Sequence, residues 1–332
     1  MIRAAIVGLG RWGQRLVDAV QDGRVAPSTE IRFVRGWTRT AERARGFAAA
    51  RGFELAPDLA TLLADPDVDA IVLATPHSHH VDQVLACARA GKPVYVEKPL
   101  ALTHAAACQA AQACQQAGVV LAVGHNRRFL PAVRALLEMA AAGEFGRVLH
   151  VEGNFSGPFG LDYDHTAWRA SQDEAPAGGL TLMGVHIIDA MIAMKGPITA
   201  LSATSLRQVL QIELDDTSSA TLRFADGASG YVSTLTATPR LWRLQAFGTQ
   251  GWGHVLDHEV LEVCKVGGAV ERREFGREDA ERTALEHFAR AVRGQAPFPV
   301  PLSDVLNGIA AVQAFVDSAR LGGQPVVLET GE

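Results

Sequence analysis

A glycine-rich motif near the N-terminus has the residue types and spacing that bind phosphate groups. It follows an apolar run, precedes a helical pattern and comprises Gly8, Leu9, Gly10, Arg11, Trp12 and Gly13. In a G-x-G-x-x-G motif the first glycine permits a tight turn, the second lets the backbone approach a pyrophosphate, and the third allows close helix–strand packing. The N–H groups of the following helix add a positive dipole end. The motif therefore predicts a dinucleotide site.

The end of the second predicted strand bears on which dinucleotide binds. An acid that binds the ribose 2′-hydroxyl of NAD is expected about 20 residues after the glycines. The sequence there, residues 34–40, contains no acid, and instead it has Thr38 and Arg39. A guanidinium is suited to a 2′-phosphate. The sequence favours NADP over NAD, and the alternative is that Arg39 is simply a solvated residue at a helix entry.

Lys98 follows the fifth predicted strand directly, within the segment Glu97-Lys98-Pro99. Ligands bind at the carboxyl ends of strands in open α/β sheets. An ammonium at such a position can hydrogen-bond a substrate oxygen while charge develops on it during hydride transfer. The alternative for Lys98 is an ion pair with a nearby carboxylate.

Histidines and cysteines offer a weaker case for metal or thiol chemistry. The run from His77 to His80 contains three histidines, but no distant cluster completes a tetrahedral set, so no metal site is expected. The cysteines are dispersed and form no C-x-x-C pair, and they are Cys87, Cys108, Cys114 and Cys264. This dispersal indicates reduced core thiols rather than disulfides or a catalytic cysteine.

The elements that position these residues alternate between strands and helices over the first 124 residues. That alternation predicts a doubly wound, parallel α/β sheet, a Rossmann domain over residues 1–124. Residues 125–332 form a second, α+β domain in which strands dominate after a helix at residues 180–194. Its expected strands are 148–156, 200–206, 218–224, 231–236, 241–247 and 260–266. Asp226-Gly227 indicates a hairpin, and two closing helices, 279–293 and 303–321, are expected to pack back on the first domain.

Composition excludes several classes of protein. The chain has 332 residues, of which 48% are hydrophobic and 20% charged, and its formal net charge is −5. These values argue against a basic nucleic-acid-binding surface, a polybasic membrane anchor and disorder. The N-terminus lacks the layout of a signal peptide, and no stretch is apolar enough to span a membrane. We therefore expect a cytoplasmic protein without nucleic-acid or membrane partners.

The whole chain resembles the Gfo/Idh/MocA family of oxidoreductases. The resemblance is carried by the glycine motif, by the Glu97-Lys98-Pro99 motif, which is its most specific part, and by four further segments: residues 75–76, 124–129, 168–169 and 178–189. It implies an N-terminal Rossmann domain and a C-terminal domain with a large, open, mostly antiparallel sheet. It also implies that the Lys98-Pro99 peptide is cis, an isomer that proline tolerates.

The resemblance further implies a general acid/base at His186. Family members with polyol substrates place an Asp four residues earlier, where this chain has Leu182. This departure removes a polar contact to a hydroxyl and weakens a sugar or inositol assignment. Asp189 lies one helical turn after His186, so it is expected on the same face, where it orients the imidazole, supports the loop or contacts substrate. The alternative for His186 is a hydrogen-bonded core histidine.

The remaining site residues follow from the same resemblance. Cofactor contacts are expected at Thr75, Pro76, His80, Glu97 and Lys98. Candidate substrate contacts are Arg127, Asn154, Trp168 and Arg169, each with interdomain or surface packing as the alternative. Trp242 and Trp252 are interpreted as core or subunit-interface residues.

The resemblance implies an NAD(P)-dependent dehydrogenase or reductase acting on a small polyhydroxylated, sugar-like molecule, with Lys98 and His186 as the reactive pair. Two alternatives remain open: a cofactor-binding regulator without turnover, and a redox-assisted lyase or hydrolase that retains its cofactor. The open sheet makes a homodimer or homotetramer the expected assembly.

Overall fold

The computed structural model describes residues 1–23 and 26–328, which form two compact units. The first comprises Met1–Ala101, Ala105–Asn126 and Asp279–Leu302; the second comprises Leu102–His104, Arg127–Glu278 and the described residues from Ser303 onward. The helix of residues 280–292 thus belongs to the first unit. The division into domains at residue 124 stays a prediction.

The first unit is built on a parallel six-stranded sheet in the order β3-β2-β1-β4-β5-β6, the order of a classic dinucleotide-binding fold. Its strands are β1 Ile2–Val7, β2 Ile31–Trp37, β3 Glu54–Leu55, β4 Ala70–Leu73, β5 Val94–Val96 and β6 Leu121–Val123. Strands β4, β5 and β6 are buried throughout because helices cover both faces of such sheets. The predicted doubly wound fold is confirmed.

Helices connect these strands. They are α1 Arg11–Gln21, α2 Ala41–Ala50, α3 Leu59–Ala64, α4 His80–Arg89, α5 His104–Ala117 and, from later in the chain, α8 Ala280–Val292. A buried contact joins α8 to the sheet, since the ring of Phe288 lies 5.8 Å from that of Tyr95.

The second unit contains a nine-stranded sheet in the order β14-β13-β12-β11-β7-β10-β9-β8-β15. All of its neighbouring pairs are antiparallel except β10 with β7, which confirms the predicted large, mostly antiparallel sheet. The strands are β7 Val148–Ser156, β8 Ile198–Leu206, β9 Thr217–Phe224, β10 Ser229–Leu235, β11 Leu241–Gly248, β12 Gly251–Leu256, β13 Val260–Lys265, β14 Val270–Glu274 and β15 Val326–Val327.

Its helices are α6 Pro131–Ala141, α7 Val185–Lys195 and α9 Leu302–Arg320. Helix α7 lies very close to β7, because a Cβ at Gly153 would sit 2.2 Å from Ile187 Cγ2. The sheet therefore has one face covered by α7, and side chains two residues from Gly153, such as Phe155, lie on that face.

The structure differs from the sequence-based elements in three strands and one helix. Strands β12, β14 and β15 are absent from the prediction: β12 carries Gly253 packed against Leu136 and Phe145, β14 is a charged edge strand without a buried face, and β15 has only two residues. The helix expected over 180–194 is divided, with a π-helical turn at Leu180–Gly184 before α7.

No helix among the described residues reaches the length and apolar character needed to cross a membrane.

Candidate active site

The glycine loop has the geometry that its motif predicts. Gly8 has a φ of +92°, a conformation that L side chains rarely adopt. A Cβ at Gly13 would lie 1.8 Å from the Gly8 carbonyl oxygen, whereas a Cβ at Gly10 would meet no atom within 4 Å. Gly10 begins α1 without a side-chain cap, and no acid occupies the first turn. The open approach at Gly10 and the uncapped N–H groups fit the pyrophosphate of a dinucleotide.

The carboxyl end of β2 lies beside that loop, since Trp37 pairs with Val7 just before Gly8. Thr38 is half-buried and Arg39 is exposed. Leu9 is buried and Arg11 is exposed at the start of α1. These positions are compatible with the predicted contacts to a ribose or a 2′-phosphate, which stay predictions.

Buried His80 joins two loops that follow neighbouring strands. Its Nδ1 lies 2.8 Å from the carbonyl oxygen of Pro99, and its Nε2 lies 3.0 Å from that of Thr75. Because carbonyl oxygens only accept, both contacts are hydrogen bonds only when both ring nitrogens carry protons. The Lys98-Pro99 peptide is cis, as predicted. The His80 ring thus lies between the backbone of Thr75, before Pro76, and that of Pro99, after Lys98.

The geometry of His80 also bears on the alternative of a metal site. Both of its nitrogens face carbonyl oxygens, and neighbouring His77 is buried with its ring centroid 5.8 Å from that of His80. Among residues 1–23 and 26–328, no group of three or more His, Cys, Asp or Glu side chains is arranged to hold a metal ion.

The cysteines are all free thiols in the structure. Burial raises the pKa of Cys87 to about 12 and that of Cys114 to about 11. These two thiols therefore stay protonated and unreactive near neutral pH.

Glu97 is a buried carboxyl just before Lys98. A Cβ at Gly124 would lie 2.8 Å from Tyr95 Oη and 2.9 Å from Glu97 Oε1, so both oxygens pack directly against Gly124. Burial raises the pKa of Glu97 to about 7, while the Trp12 indole and the Lys98 ammonium act in the opposite direction. Glu97 thus titrates in the range where the chemistry of the site would occur.

A second buried acid, Glu281, contributes to the raised pKa of Glu97. Glu281 accepts hydrogen bonds from Arg15 at 2.9 Å and from Asn126 at 2.9 Å. Glu97 Oε1 has no hydrogen-bond partner within the described part of the chain. The negative charge of Glu281 further disfavours ionisation of Glu97. Sequence reasoning missed Glu281, because its partners lie more than 150 positions away.

His186 lies in the first turn of α7 and is buried. Its ring centroid is 6.1 Å from that of Phe155 on β7. Leu182 belongs to a hydrophobic cluster, against which Phe155, Phe159 and Tyr163 also pack. The position that carries Asp in polyol dehydrogenases is therefore surrounded by apolar and aromatic groups here.

Asp189 is bound by an arginine that the sequence did not single out for it. Arg128 donates to both Asp189 oxygens, at 2.7 and 2.9 Å, and also to Asp304 at 2.8 Å. This buried network anchors α7 to the segment after β6 and to α9. The proposed substrate contact of Asp189 stays a prediction.

Asn154 has a cross-strand role in the structure. Its amide donates to Ser233 Oγ at 2.8 Å and its oxygen accepts from Ser156 Oγ at 2.7 Å. Because successive side chains alternate along a strand, Asn154 faces away from the side on which Phe155 meets His186. The predicted substrate contact of Asn154 stays a prediction.

The long polar segment before α7 holds a stacked pair. The Arg169 guanidinium lies 4.1 Å from the centre of the Trp168 ring, so the two side chains form a cation–π contact. Arg127 is half-buried after β6. Substrate contacts of these three residues stay predictions.

Comparisons with known proteins agree with this architecture. A family profile described as "Oxidoreductase family, NAD-binding Rossmann fold" matches residues 2–125, and one described as "GFO/IDH/MocA C-terminal domain" matches residues 133–254. Scyllo-inositol 2-dehydrogenase (NAD(+)) of Bacillus subtilis is 27% identical, over 99% of this chain and 96% of that protein.

Two further proteins, both oxidoreductases by name, are similar to this chain. 4-Carboxy-2-hydroxymuconate-6-semialdehyde dehydrogenase of Sphingobium is 38% identical over 43% of this chain and 44% of its own. A crystal structure of an oxidoreductase from Desulfitobacterium hafniense has a TM-score of 0.90 at 27% identity and covers 98% of this chain and 97% of its own.

The fold, the glycine loop and these matches define an oxidoreductase with a NAD-binding Rossmann domain. The two profiles together span most of the chain, which belongs to the Gfo/Idh/MocA family.

Proposed function

We propose that this protein transfers hydride between the nicotinamide of NAD(P) and a carbon bearing a hydroxyl or carbonyl group on a small polyhydroxylated molecule. When bound, the cofactor supplies or accepts the hydride at C4. The observation that carries the proposal is the position of Lys98: it directly follows β5 of a dinucleotide-binding sheet, where ligands bind, in a loop whose Pro99 carbonyl oxygen lies 2.8 Å from His80 Nδ1. Scyllo-inositol 2-dehydrogenase, a relative along nearly the whole chain, acts on a polyol.

Each protein residue has a distinct task in this reaction. The Lys98 ammonium donates a hydrogen bond to the substrate oxygen and stabilises the charge that develops there. A ring nitrogen of His186 takes the hydroxyl proton during oxidation and returns it during reduction. The N–H groups at the start of α1 bind the pyrophosphate.

The test is a spectrophotometric assay with NADPH or NADH and a panel of aldoses, ketoses, inositols and sugar acids. Lys98→Met and His186→Asn should each lower kcat by about 100-fold or more, because charge stabilisation and proton transfer each contribute at least that factor, while cofactor affinity is retained. Matched controls are Lys265→Met at an exposed residue and His104→Asn at a half-buried one, both outside the candidate site. Unchanged turnover in Lys98→Met would refute the assigned role.

We also propose that NADP(H) is preferred over NAD(H), because residues 34–40 lack an acid and Arg39 is exposed beyond β2. We expect a higher kcat/KM with NADPH, and Arg39→Gln should reduce the preference by about tenfold, the loss of one charge-assisted hydrogen bond. Equal or better kcat/KM with NADH for the unaltered protein would contradict this proposal.

The free thiols fit a reducing cytoplasm as the location.

A further inference from the structure

A row of aromatic rings leads away from His186 within the second unit. The His186 ring contacts Phe155 on β7, and Phe155 is the cross-strand partner of Trp242 on β11. The ring of Trp242 lies 5.3 Å from that of His258, in the turn between β12 and β13. Phe155 and Trp242 share the face covered by α7, so the row extends from His186 along one side of the sheet.

Positive charge gathers at the far end of this row. Burial, together with the charges of Arg127, Arg277 and Arg240, lowers the pKa of His258 to about 4. The guanidinium of Arg240 also lies 5.6 Å from the centre of the Phe159 ring, beside the cluster around Leu182. Among the described residues, the charged groups that act on His258 are all arginines. We call Arg127, Arg240, Arg277, His258 and Trp242 the basic cluster.

Two polar atoms of the basic cluster are buried without a hydrogen-bond partner in the described part of the chain. They are Trp242 Nε1, which can only donate, and His258 Nε2. Trp242 itself is only 3% exposed. Since a buried donor without an acceptor costs free energy, a site that retains one beside three guanidinium groups is suited to a ligand that brings an anionic acceptor.

At the His186 end of the row, the Leu182 side chain lacks the polar group that a neutral polyol would bind. Leu182 and the rings of Phe155 and Phe159 form an apolar surface next to His186. A hydroxyl group would accept a hydrogen bond from Trp242 Nε1 but would bring no negative charge to the exposed guanidinium groups of Arg240 and Arg277.

We propose that the substrate of this enzyme carries an anionic oxygen group, a carboxylate or a phosphate, that binds to the basic cluster while its reacting carbon lies beside His186. This inference rests on the proposed function and narrows its substrate class. The guanidinium groups of Arg240 and Arg277 are exposed and provide the charge; the indole N–H of Trp242 provides a directed donor.

The experiment compares matched sets that differ only in the anionic group: D-glucose, D-glucuronate and D-glucose 6-phosphate, and the corresponding galactose compounds. Binding to the NADPH-loaded protein is followed by the NMR signal of the Trp242 indole N–H, assigned with Trp242→Phe, and turnover is followed by absorbance. Either the carboxylates or the phosphates should move the signal and show the higher kcat/KM. The class of compound that does so identifies the anionic group. Neutral sugars should leave the signal in place.

Arg240→Gln should weaken binding of the anionic members by about tenfold to 100-fold, the range expected for a hydrogen bond to a charged group, and leave neutral members unaffected. Arg134→Gln, an exposed arginine paired with Glu278, is the matched control and should behave as the unaltered protein. Because Arg240 is exposed, its replacement should leave the fold intact.

The outcomes separate the two proposals. If no anionic compound moves the Trp242 signal, or if neutral members are bound and turned over as well as anionic ones, the anion site is refuted while hydride transfer can still be observed. If anionic compounds move the signal in an Arg240-dependent manner but no compound is oxidised or reduced, the anion site stands and the proposed redox function fails.

Discussion

At the scale of single residues, Glu97 shows how burial changes the chemistry of a motif. Its pKa is raised from 4.5 to about 7 because burial, with Glu281 close by, disfavours the charged form. A carboxyl whose pKa is higher in the folded than in the unfolded state stabilises the fold fully below pH 4.5. That contribution is lost as the pH rises through 7.

We therefore expect the free energy of unfolding of the unaltered protein to fall between pH 5 and pH 8 by about 2.5 kcal/mol more than that of Glu97→Gln, which cannot ionise. Urea denaturation at both pH values measures the difference. Glu54→Gln, an exposed residue of β3, serves as control and should retain the pH dependence. Parallel pH profiles for the unaltered protein and Glu97→Gln would show that Glu97 is already ionised at pH 5.

At the scale of elements, the turn from β1 into α1 separates two roles of glycine. Gly13→Ala places a Cβ 1.8 Å from the Gly8 carbonyl oxygen, so helix and strand must move apart. Gly10→Ala meets no protein atom, and its backbone φ of −70° suits alanine. We expect Gly13→Ala to lower the Tm by several degrees, as a loss of about 1–3 kcal/mol would.

Gly10→Ala should leave the Tm unchanged and weaken NADPH binding at least about tenfold, because its methyl group occupies the space through which the pyrophosphate approaches. Thermal unfolding and cofactor titration distinguish the two variants. A normal cofactor affinity in Gly10→Ala would argue against phosphate binding at this turn.

The ion-pair network at α7 is the second element that can be tested. Arg128→Met leaves the carboxylate of Asp189, only 3% exposed, without its guanidinium. Breaking a buried pair in this way costs about 3–5 kcal/mol. Addition of Asp189→Leu should recover part of the loss, since it removes the buried carboxylate that has lost its guanidinium, and chemical denaturation of the single and double variants measures it. A loss below 1 kcal/mol in Arg128→Met would mean that the network contributes little to folding.

At the scale of the whole molecule, the face of the second sheet opposite α7 is the proposed surface for self-association. It presents Phe247 next to its cross-strand partners Trp252 and His150, and the ion pair of Arg243 with Glu152. Aromatic residues and arginine are enriched in protein interfaces. We expect light scattering to give a multiple of 35.3 kDa, and Phe247→Arg to reduce it. A monomer mass for the unaltered protein would rule out this interface.

Much of the site followed from local sequence. The glycine motif, Lys98 after β5 and the position of His186 depend on spacing along one strand–turn–helix segment or on a family pattern. Strand β14 escaped prediction because a charged edge strand lacks the apolar alternation that reveals strands. The roles of Asn154 and Asp189 could not be read locally, since a one-residue step along β7 reverses the face, and Arg128 reaches Asp189 from 61 positions away.

The sequence by itself determined the fold class, through the alternation of strands and helices, and the glycine turn, because both depend on patterns along the chain. The cis Lys98-Pro99 peptide was implied by the family resemblance. Only the tertiary structure decided that Glu97 is buried against Gly124, that His80 lies between two loops, and that Trp242 and His258 lie together near three arginines. Those properties depend on desolvation and on charges brought together from distant segments, and neither is encoded in the spacing of neighbouring residues.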